Sequence, residues 1–106
     1  MYSLAELKLC FVVMQETLRV HSPVTRADRK CVKDWTNDNT GDYPGMTIKK
    51  GTLIRIPTYT IHHCEEYWPE PELFKPERFL KENAQDIIPY TYLPFGAGPR
   101  VCIGKI

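Results

Sequence analysis

Residues 95–104 read FGAGPRVCIG, in which one cysteine stands among three glycines, a proline and an arginine. The spacing is FxxGxRxCxG, and average residue frequencies give about one chance match in a hundred thousand chains of this length. Glycine lets a backbone turn sharply and approach a flat ligand closely, and a cysteine thiolate binds metal ions. The stretch therefore predicts a tight loop that presents Cys102 as a ligand. A surface glycine turn with an inert buried cysteine is the alternative interpretation.

Composition excludes several classes of protein. The 106 residues carry a net charge of +1, which gives no basic surface for nucleic acid. No run approaches the ~18 apolar residues of a membrane-spanning helix, so any membrane anchor is expected outside this sequence. The four cysteines have no CxxC spacing, which argues against structural zinc, and they are too sparse for a secreted disulfide scaffold.

Residues 3–20 have the strongest helical pattern in the chain. Ser3 and Glu6 have the spacing of a capping box, in which each side chain accepts a hydrogen bond from a backbone N–H of the first turn. A helix that is apolar on both sides is typical of the interior of a larger protein, and Pro23 ends this one. The two apolar stripes are Leu4, Leu7, Phe11, Met14 and Leu18 on one side, and Ala5, Leu9, Val12 and Val13 on the other.

The remainder before the cysteine loop is predicted to hold short elements only. Residues 59–80 are expected to contain one helical turn and then a stiff, irregular segment, because its three prolines fix the backbone angle φ and lack an N–H. Residues 24–58 are expected to form short strands and turns, with strands within 24–33, 43–48 and 52–57 and a polar loop at 34–42.

Four stretches resemble motifs of the cytochrome P450 family, in the same order. They are ETLR at 16–19 (the ExxR motif of the K helix), WPEP at 68–71, PERF at 76–79 and the haem-binding loop within 90–104. Details such as PYTYLPFGAGPR are similar to the animal microsomal clan, which includes vertebrate drug-metabolising and insect detoxifying enzymes. The resemblance implies a mainly α fold with small β-sheet elements, present here as one partial domain over 1–106 that runs from the K helix to the cysteine loop.

The ExxR pair agrees with this resemblance on physical grounds. Glu16 and Arg19 are three residues apart and so share one helix face, which is otherwise apolar. A surface pair at this spacing contributes only a few tenths of a kcal/mol, whereas buried charges need partners. In the family, the arginine of PERF, here Arg78, completes a Glu–Arg–Arg cluster. The resemblance implies that this cluster is structural and not catalytic.

The resemblance also implies haem as the cofactor, with Cys102 as the axial ligand of its iron. A thiolate ligand pushes electron density onto the iron, which favours cleavage of the O–O bond in bound oxygen. Phe95 is expected to shield the sulfur, Arg100 to meet an anionic haem propionate, and Gly98 and Gly104 to let the backbone approach the macrocycle. No catalytic residue is expected within this chain.

The segment after the helix offers further candidates. In the family, the strand that follows the K helix crosses the haem edge, and Arg29 has the position of a basic residue that reaches a propionate. A solvated strand arginine is the alternative. Val24, Thr25 and Ala27 align with a stretch that lines the substrate pocket in related enzymes, although any strand has similar residues.

The adjacent pair His62-His63 is interpreted as a packed or surface pair. Neighbouring histidines point in different directions on a strand or a helix, so a shared metal ion is disfavoured. Cys10 and Cys31 are interpreted as packing thiols.

For the whole enzyme, the resemblance implies a monooxygenase on the cytosolic face of the endoplasmic reticulum membrane. Electrons would come from NADPH through cytochrome P450 reductase, and one oxygen atom would enter a small apolar substrate. A thiolate-haem isomerase or dehydratase that acts on peroxides without a reductase is an alternative, and a non-enzymatic module in which Cys102 only packs is another. Because the cysteine loop stands at the end of the sequence, we expect a fragment that neither folds stably nor turns over substrate alone.

Overall fold

The computed structural model describes residues 3–105, which divide into two compact units. The first unit contains residues 3–25 and 57–105, and the second contains Arg26–Ile56. The elements are one long helix, short antiparallel strands and 3-10 turns, which confirms the predicted fold class. Among the described residues, no helix combines the length and apolarity needed to cross a membrane.

Helix α1 (Leu4–Val20) dominates the first unit and begins as predicted. The Ser3 hydroxyl accepts from Glu6 N at 3.2 Å, and the Glu6 carboxylate accepts from Ser3 N at 2.6 Å, so the capping box is present. These bonds lower the pKa of Glu6, with the bond from the Ser3 backbone as the main cause. The unit also contains helix α2 (Thr58–His62) and 3-10 helices at Pro76–Phe79, Ala84–Asp86 and Gly98–Arg100.

Only one line of α1 is buried by the described residues. Within the first unit, α2 and the 3-10 helix Pro76–Phe79 contact α1 along one narrow line, on which Val12, Glu16 and Arg19 are buried. The described residues therefore cover the line that carries the ion pair and leave most apolar side chains of the helix exposed. The exposed large apolar residues of α1 are Leu4, Leu7, Leu9, Phe11, Val13 and Met14.

The second unit consists of two small antiparallel pairs. Strand β1 (Ala27–Lys30) pairs with β4 (Leu53–Ile56), with Ala27 opposite Ile56 and Lys30 opposite Leu53. The first of these strands is shorter than the predicted stretch 24–33. Strand β2 (Trp35–Thr36) pairs with β3 (Thr47–Ile48).

The hairpin β2–β3 corrects the prediction of an unbroken loop at 34–42. Its strands are joined by the Thr36 and Thr47 hydroxyls, which lie 2.9 Å apart. The Asn37 side-chain amide closes the connection by donating to the carbonyl oxygens of Thr40, Asp42 and Tyr43, each at 3.1 Å. Polar side chains thus stabilise this hairpin by bonding to each other and to backbone carbonyls of the connection. Hydrophobic periodicity does not detect such bonds.

Candidate functional site

A buried ion pair lies at the C-terminal half of α1. Arg19 Nε donates to Glu16 Oε2 and Arg19 Nη2 donates to Glu16 Oε1, both at 2.8 Å, and neither side chain has exposed surface. A bidentate arginine–carboxylate pair fixes both orientation and distance. The i,i+3 pair predicted from the sequence is therefore an interior feature of this unit.

Arg19 is surrounded by acceptors that come from other segments. Its Nη1 donates to the His62 carbonyl oxygen at 2.7 Å and its Nη2 donates to that of Pro71 at 2.8 Å. The guanidinium carbon also lies 5.4 Å from the ring centroid of Trp68, which is itself buried. These contacts compensate the cost of placing a guanidinium away from water.

The third member of the predicted cluster, Arg78, forms an ion pair with Glu16 without a hydrogen bond between them. Its Nε lies 3.5 Å from Glu16 Oε1 and has no hydrogen-bond partner among the described residues, while its Nη2 donates to Glu70 O at 2.9 Å. Glu16 Oε1 also accepts from Lys75 N at 2.9 Å. The structure thus brings Glu16, Arg19 and Arg78 together around one carboxylate.

His62 belongs to the same interior, and sequence reasoning did not find its role. The imidazole is fully buried; its Nε2 accepts from Leu93 N at 2.8 Å and its Nδ1 lies 3.1 Å from Ser22 Oγ. Burial lowers the pKa of His62 from 6.5 to about 4; a bond that the ring donates to the Arg19 backbone carbonyl opposes this shift, and the Arg19 charge adds a smaller lowering effect. His63 instead stacks on Tyr59 with ring centroids 4.1 Å apart.

The two histidines of the adjacent pair have different surroundings. The two rings make separate contacts, and residues 3–105 contain no group of three or more His, Cys, Asp or Glu side chains arranged to hold an ion. The sequence carries only a weak signal for the difference between the two histidines, because which ring is buried depends on how α2 meets residues 91–93.

Residues 91–93 precede the cysteine loop and are held by three different side chains. Trp68 Nε1 donates to Thr91 O at 3.2 Å, the Tyr92 hydroxyl donates to Gln15 O at 2.9 Å, and Leu93 N donates to His62. Burial, reinforced by the negative charge of Glu16, raises the pKa of Tyr92 above its ordinary value. Each residue of this segment is therefore tied to the interior that contains the Glu16–Arg19 pair.

The cysteine loop itself is short and internally bonded. Cys102 N donates to Phe95 O at 2.8 Å, Val101 N donates to Gly98 O at 3.0 Å, and Lys105 N donates to Cys102 O at 3.1 Å. Gly98 has φ +77°, a left-handed conformation that favours glycine, and opens the 3-10 helix Gly98–Arg100. The loop is closed by backbone bonds and leaves the side chain of Cys102 exposed.

The loop residues fit a flat, apolar, metal-containing ligand. The Cys102 thiol is accessible, and the side chain beside it, Ile103, is fully exposed. A Cβ on Gly104 would lie 3.7 Å from Cys102 Sγ, so glycine leaves open the space next to the donor atom. Gly104 lies in the turn that Lys105 N and Cys102 O close, with a φ outside the left-handed region, and its part in the approach of a flat ligand stays a prediction.

The other two residues predicted to contact haem, Arg100 and Phe95, lie on the cysteine loop, and their contacts with haem stay predictions. Arg100 is exposed and forms no ion pair with another residue in 3–105. Phe95 is half-buried, and its carbonyl group holds Cys102 N. It lines a cavity of about 130 Å³ with Gln15, Tyr92, Pro94, Gly96 and Lys105.

The remaining candidates lie before or within the second unit. Arg29 is an exposed residue of β1, and its Nη1 donates to Asp28 O at 2.9 Å. Val24 and Thr25 are exposed residues of the first unit, and Ala27 is half-buried on β1. Roles for Arg29 at a propionate and for the other three in a substrate pocket stay predictions.

Comparison with known proteins gives consistent matches along the whole sequence. The family model described as cytochrome P450 matches residues 1–106. Cytochrome P450 3A12 of the dog, Canis lupus familiaris, is 45% identical over 102 residues, which cover 96% of this chain and 19% of that protein.

Two further relatives extend the match to a rodent and an insect. Cytochrome P450 3A2 of Rattus norvegicus is 48% identical over 99 residues, covering 93% of this chain and 18% of the relative. Cytochrome P450 9e2 of the cockroach Blattella germanica is 46% identical over 99 residues, with the same 93% and 18% coverage. The chain thus spans less than a fifth of the length of these relatives. With the motifs, the fold and a family match over its full length, the chain belongs to the cytochrome P450 family.

Proposed function

We propose that this chain supplies the thiolate side of the haem site in a monooxygenase, with Cys102 as the axial iron ligand. The observation that carries the proposal is the exposed Cys102 thiol on a backbone-bonded glycine loop, beside an exposed apolar side chain. Membership of the family implies haem as the cofactor. Haem bound through a thiolate supplies oxygen activation, because the sulfur donates electron density to the iron.

The residues of this chain contribute position and charge. The loop bonds around Cys102 keep the donor atom at one place, and Gly104 leaves room beside it. Arg100 is free to pair with a propionate, which is the bidentate partner that a guanidinium prefers. Phe95 would limit the access of water to the sulfur. Glu16, Arg19 and Arg78 have a structural role in the proposal, as the fixed interior behind the segment that leads to the loop.

A second part of the proposal concerns the activity of the whole protein. Oxidation of small apolar substrates would use electrons from NADPH, delivered by cytochrome P450 reductase at the endoplasmic reticulum membrane. The similarity to mammalian 3A proteins and to an insect 9e2 protein supports this assignment to the animal microsomal clan.

The proposal is tested by the reduced carbon monoxide spectrum of the full-length protein that carries this sequence. A Cys102→Ser variant is compared with the wild type and with Cys10→Ser, which removes another exposed thiol on α1. We expect the thiolate-type Soret band in the wild type and in Cys10→Ser and its loss in Cys102→Ser. A thiolate-type band that persists without the Cys102 sulfur would reject the ligand assignment.

A further inference from the structure

We propose that His62 is a positioning residue for the thiolate loop, in which its neutral imidazole, protonated on Nδ1, fixes Leu93 and through it the loop that carries Cys102. The inference rests on the proposed function of Cys102. It assigns the positioning of Cys102 to a residue that lies 40 positions away in the sequence. His62 would not touch the haem or a substrate and is therefore not a catalytic residue.

A continuous set of bonds leads from His62 to Cys102. Leu93 N donates to His62 Nε2 at 2.8 Å, and Leu93 O accepts from Gly96 N at 3.2 Å, which closes a turn over residues 93–96. Within this turn, Phe95 O accepts from Cys102 N at 2.8 Å. The position of the cysteine backbone thus depends on a turn whose first N–H is held by a buried imidazole.

The partners of the ring select one protonation state. A backbone N–H can only donate, so His62 Nε2 must present its lone pair to Leu93. The single proton of a neutral imidazole is then on Nδ1, where the Ser22 hydroxyl oxygen lies 3.1 Å away and the Arg19 backbone carbonyl is a second acceptor for the ring. In this arrangement both ring nitrogens have a suitable partner.

The surroundings of the ring oppose a second proton. The imidazole is fully buried, and the Arg19 guanidinium, which bonds to the His62 carbonyl oxygen, adds a positive charge that disfavours a second proton. The Glu16 carboxylate is occupied by Arg19, while the neighbouring His63 and the stacked Tyr92 ring, at a centroid distance of 5.5 Å, add no negative charge. Burial accordingly lowers the pKa of His62 to about 4, which keeps Nε2 free to accept at neutral pH.

A packing role and a positioning role make different demands on the residue at 62. Packing requires only volume, so His62→Leu would satisfy it. Positioning requires an acceptor that faces Leu93 N, which His62→Gln restores through its amide oxygen. The matched control is His63→Leu, because the His63 ring stacks on Tyr59 and its Nδ1 contacts the Tyr59 carbonyl oxygen.

The test measures amide hydrogen exchange at Leu93 and the fraction of thiolate-type Soret band in the full-length haem protein at neutral pH. In His62→Leu we expect Leu93 to exchange about tenfold faster, as follows from the loss of one buried hydrogen bond. The thiolate-type fraction should fall in parallel. Both readouts should recover in His62→Gln and stay at the wild-type level in His63→Leu.

Unchanged Leu93 exchange in His62→Leu, or a His62→Gln variant no better than His62→Leu, would overturn the proposal. If the variants at 62 fail to fold, the ring nitrogen chemical shifts of His62 in the reduced carbon monoxide form of the wild type decide. The proton should lie on Nδ1 with Nε2 unprotonated, and a proton on Nε2 would also overturn the proposal. Cys102→Ser is measured in parallel: a retained thiolate-type band there rejects the proposed function, whereas Leu93 exchange reports on His62 alone.

Discussion

The buried cluster around Glu16 and the loop around Cys102 belong to the same unit but differ in how their polar groups are partnered. Glu16, Arg19 and His62 have no exposed surface, and they bond to one another or to backbone groups of several segments. In the loop, the backbone groups are bonded while the Cys102 thiol and the Ile103 side chain face outward. The charges of the first region are paired within the unit, whereas the second region exposes the Cys102 sulfur, an atom that can bind a metal.

This difference separates a region with a structural role, the buried cluster, from a region with a proposed chemical role, the cysteine loop. A buried charge cluster contributes little net stability relative to apolar packing, but it is sensitive to the loss of any one partner. It is therefore suited to fixing the relative positions of α1, α2 and residues 91–93. Residues 97–105 of the loop are exposed, so its geometry relies on backbone bonds, on glycine conformation and on the segment to which it is joined. Substitutions in the two regions should consequently have different signatures.

The largest effect is expected from breaking the cluster. Arg19→Met keeps the length of the side chain but leaves Glu16 buried beside a single, poorly bonded arginine, which should lower the free energy of unfolding by about 3–5 kcal/mol. Denaturant unfolding of the full-length protein measures the loss. Arg55→Met is the control, because it removes an exposed ion pair with Asp28 and should cost less than about 1 kcal/mol. Equal losses of unfolding free energy in the two variants would show that the buried cluster contributes no more than an exposed ion pair.

The next effect is a dependence on pH that originates at His62. Its pKa is lowered from 6.5 to about 4 on folding, so the unfolded chain binds more protons between these values. The contribution of neutral His62 to the free energy of unfolding is fully present above pH 6.5 and decreases as the pH falls towards 4. The decrease over that range amounts to about 3 kcal/mol. Unfolding free energies measured from pH 7 to 4 should show a shallower slope in His62→Leu than in the wild type. Parallel slopes would contradict this assignment.

A smaller effect is expected in the loop. Gly98→Ala places a side chain at φ +77°, which should cost about 1–2 kcal/mol and accelerate haem loss about tenfold. Gly41→Ala is the matched control, since Gly41 has a similar φ of +67° and an equally open site but lies in the second unit. Both variants should lose similar stability, and only Gly98→Ala should release haem faster. Haem transfer to an acceptor protein measures the rates.

The sequence allowed prediction of features that depend on local spacing. The capping box at Ser3 and the shared face of Glu16 and Arg19 follow from helical geometry, and the cysteine loop follows from its glycines. Contacts between distant segments were not predictable in this way. The Pro71 carbonyl bond to Arg19 and the His62 bond to Leu93 arise only when the segments pack, and neither leaves a periodic pattern.

The second unit and α1 show what hydrophobic periodicity leaves undetermined. The strand pair Trp35–Thr36 and Thr47–Ile48 is stabilised by hydroxyl and amide bonds within a polar stretch that predicted a loop. On α1, the two apolar stripes predicted a helix in the interior of a larger protein, and the described residues bury only Val12 of these stripes, beside Glu16 and Arg19. Apolar periodicity indicates which residues can be buried, and the packed partners decide which are.

The most direct test of the account is X-ray absorption at the iron edge of the full-length haem protein, which identifies the atoms bound to the metal. Wild type and Cys10→Ser are predicted to show one sulfur atom in the first coordination shell of the iron. In Cys102→Ser that sulfur should be replaced by oxygen or nitrogen. A sulfur ligand that remains in Cys102→Ser, or no sulfur ligand in the wild type, would contradict the assignment of Cys102.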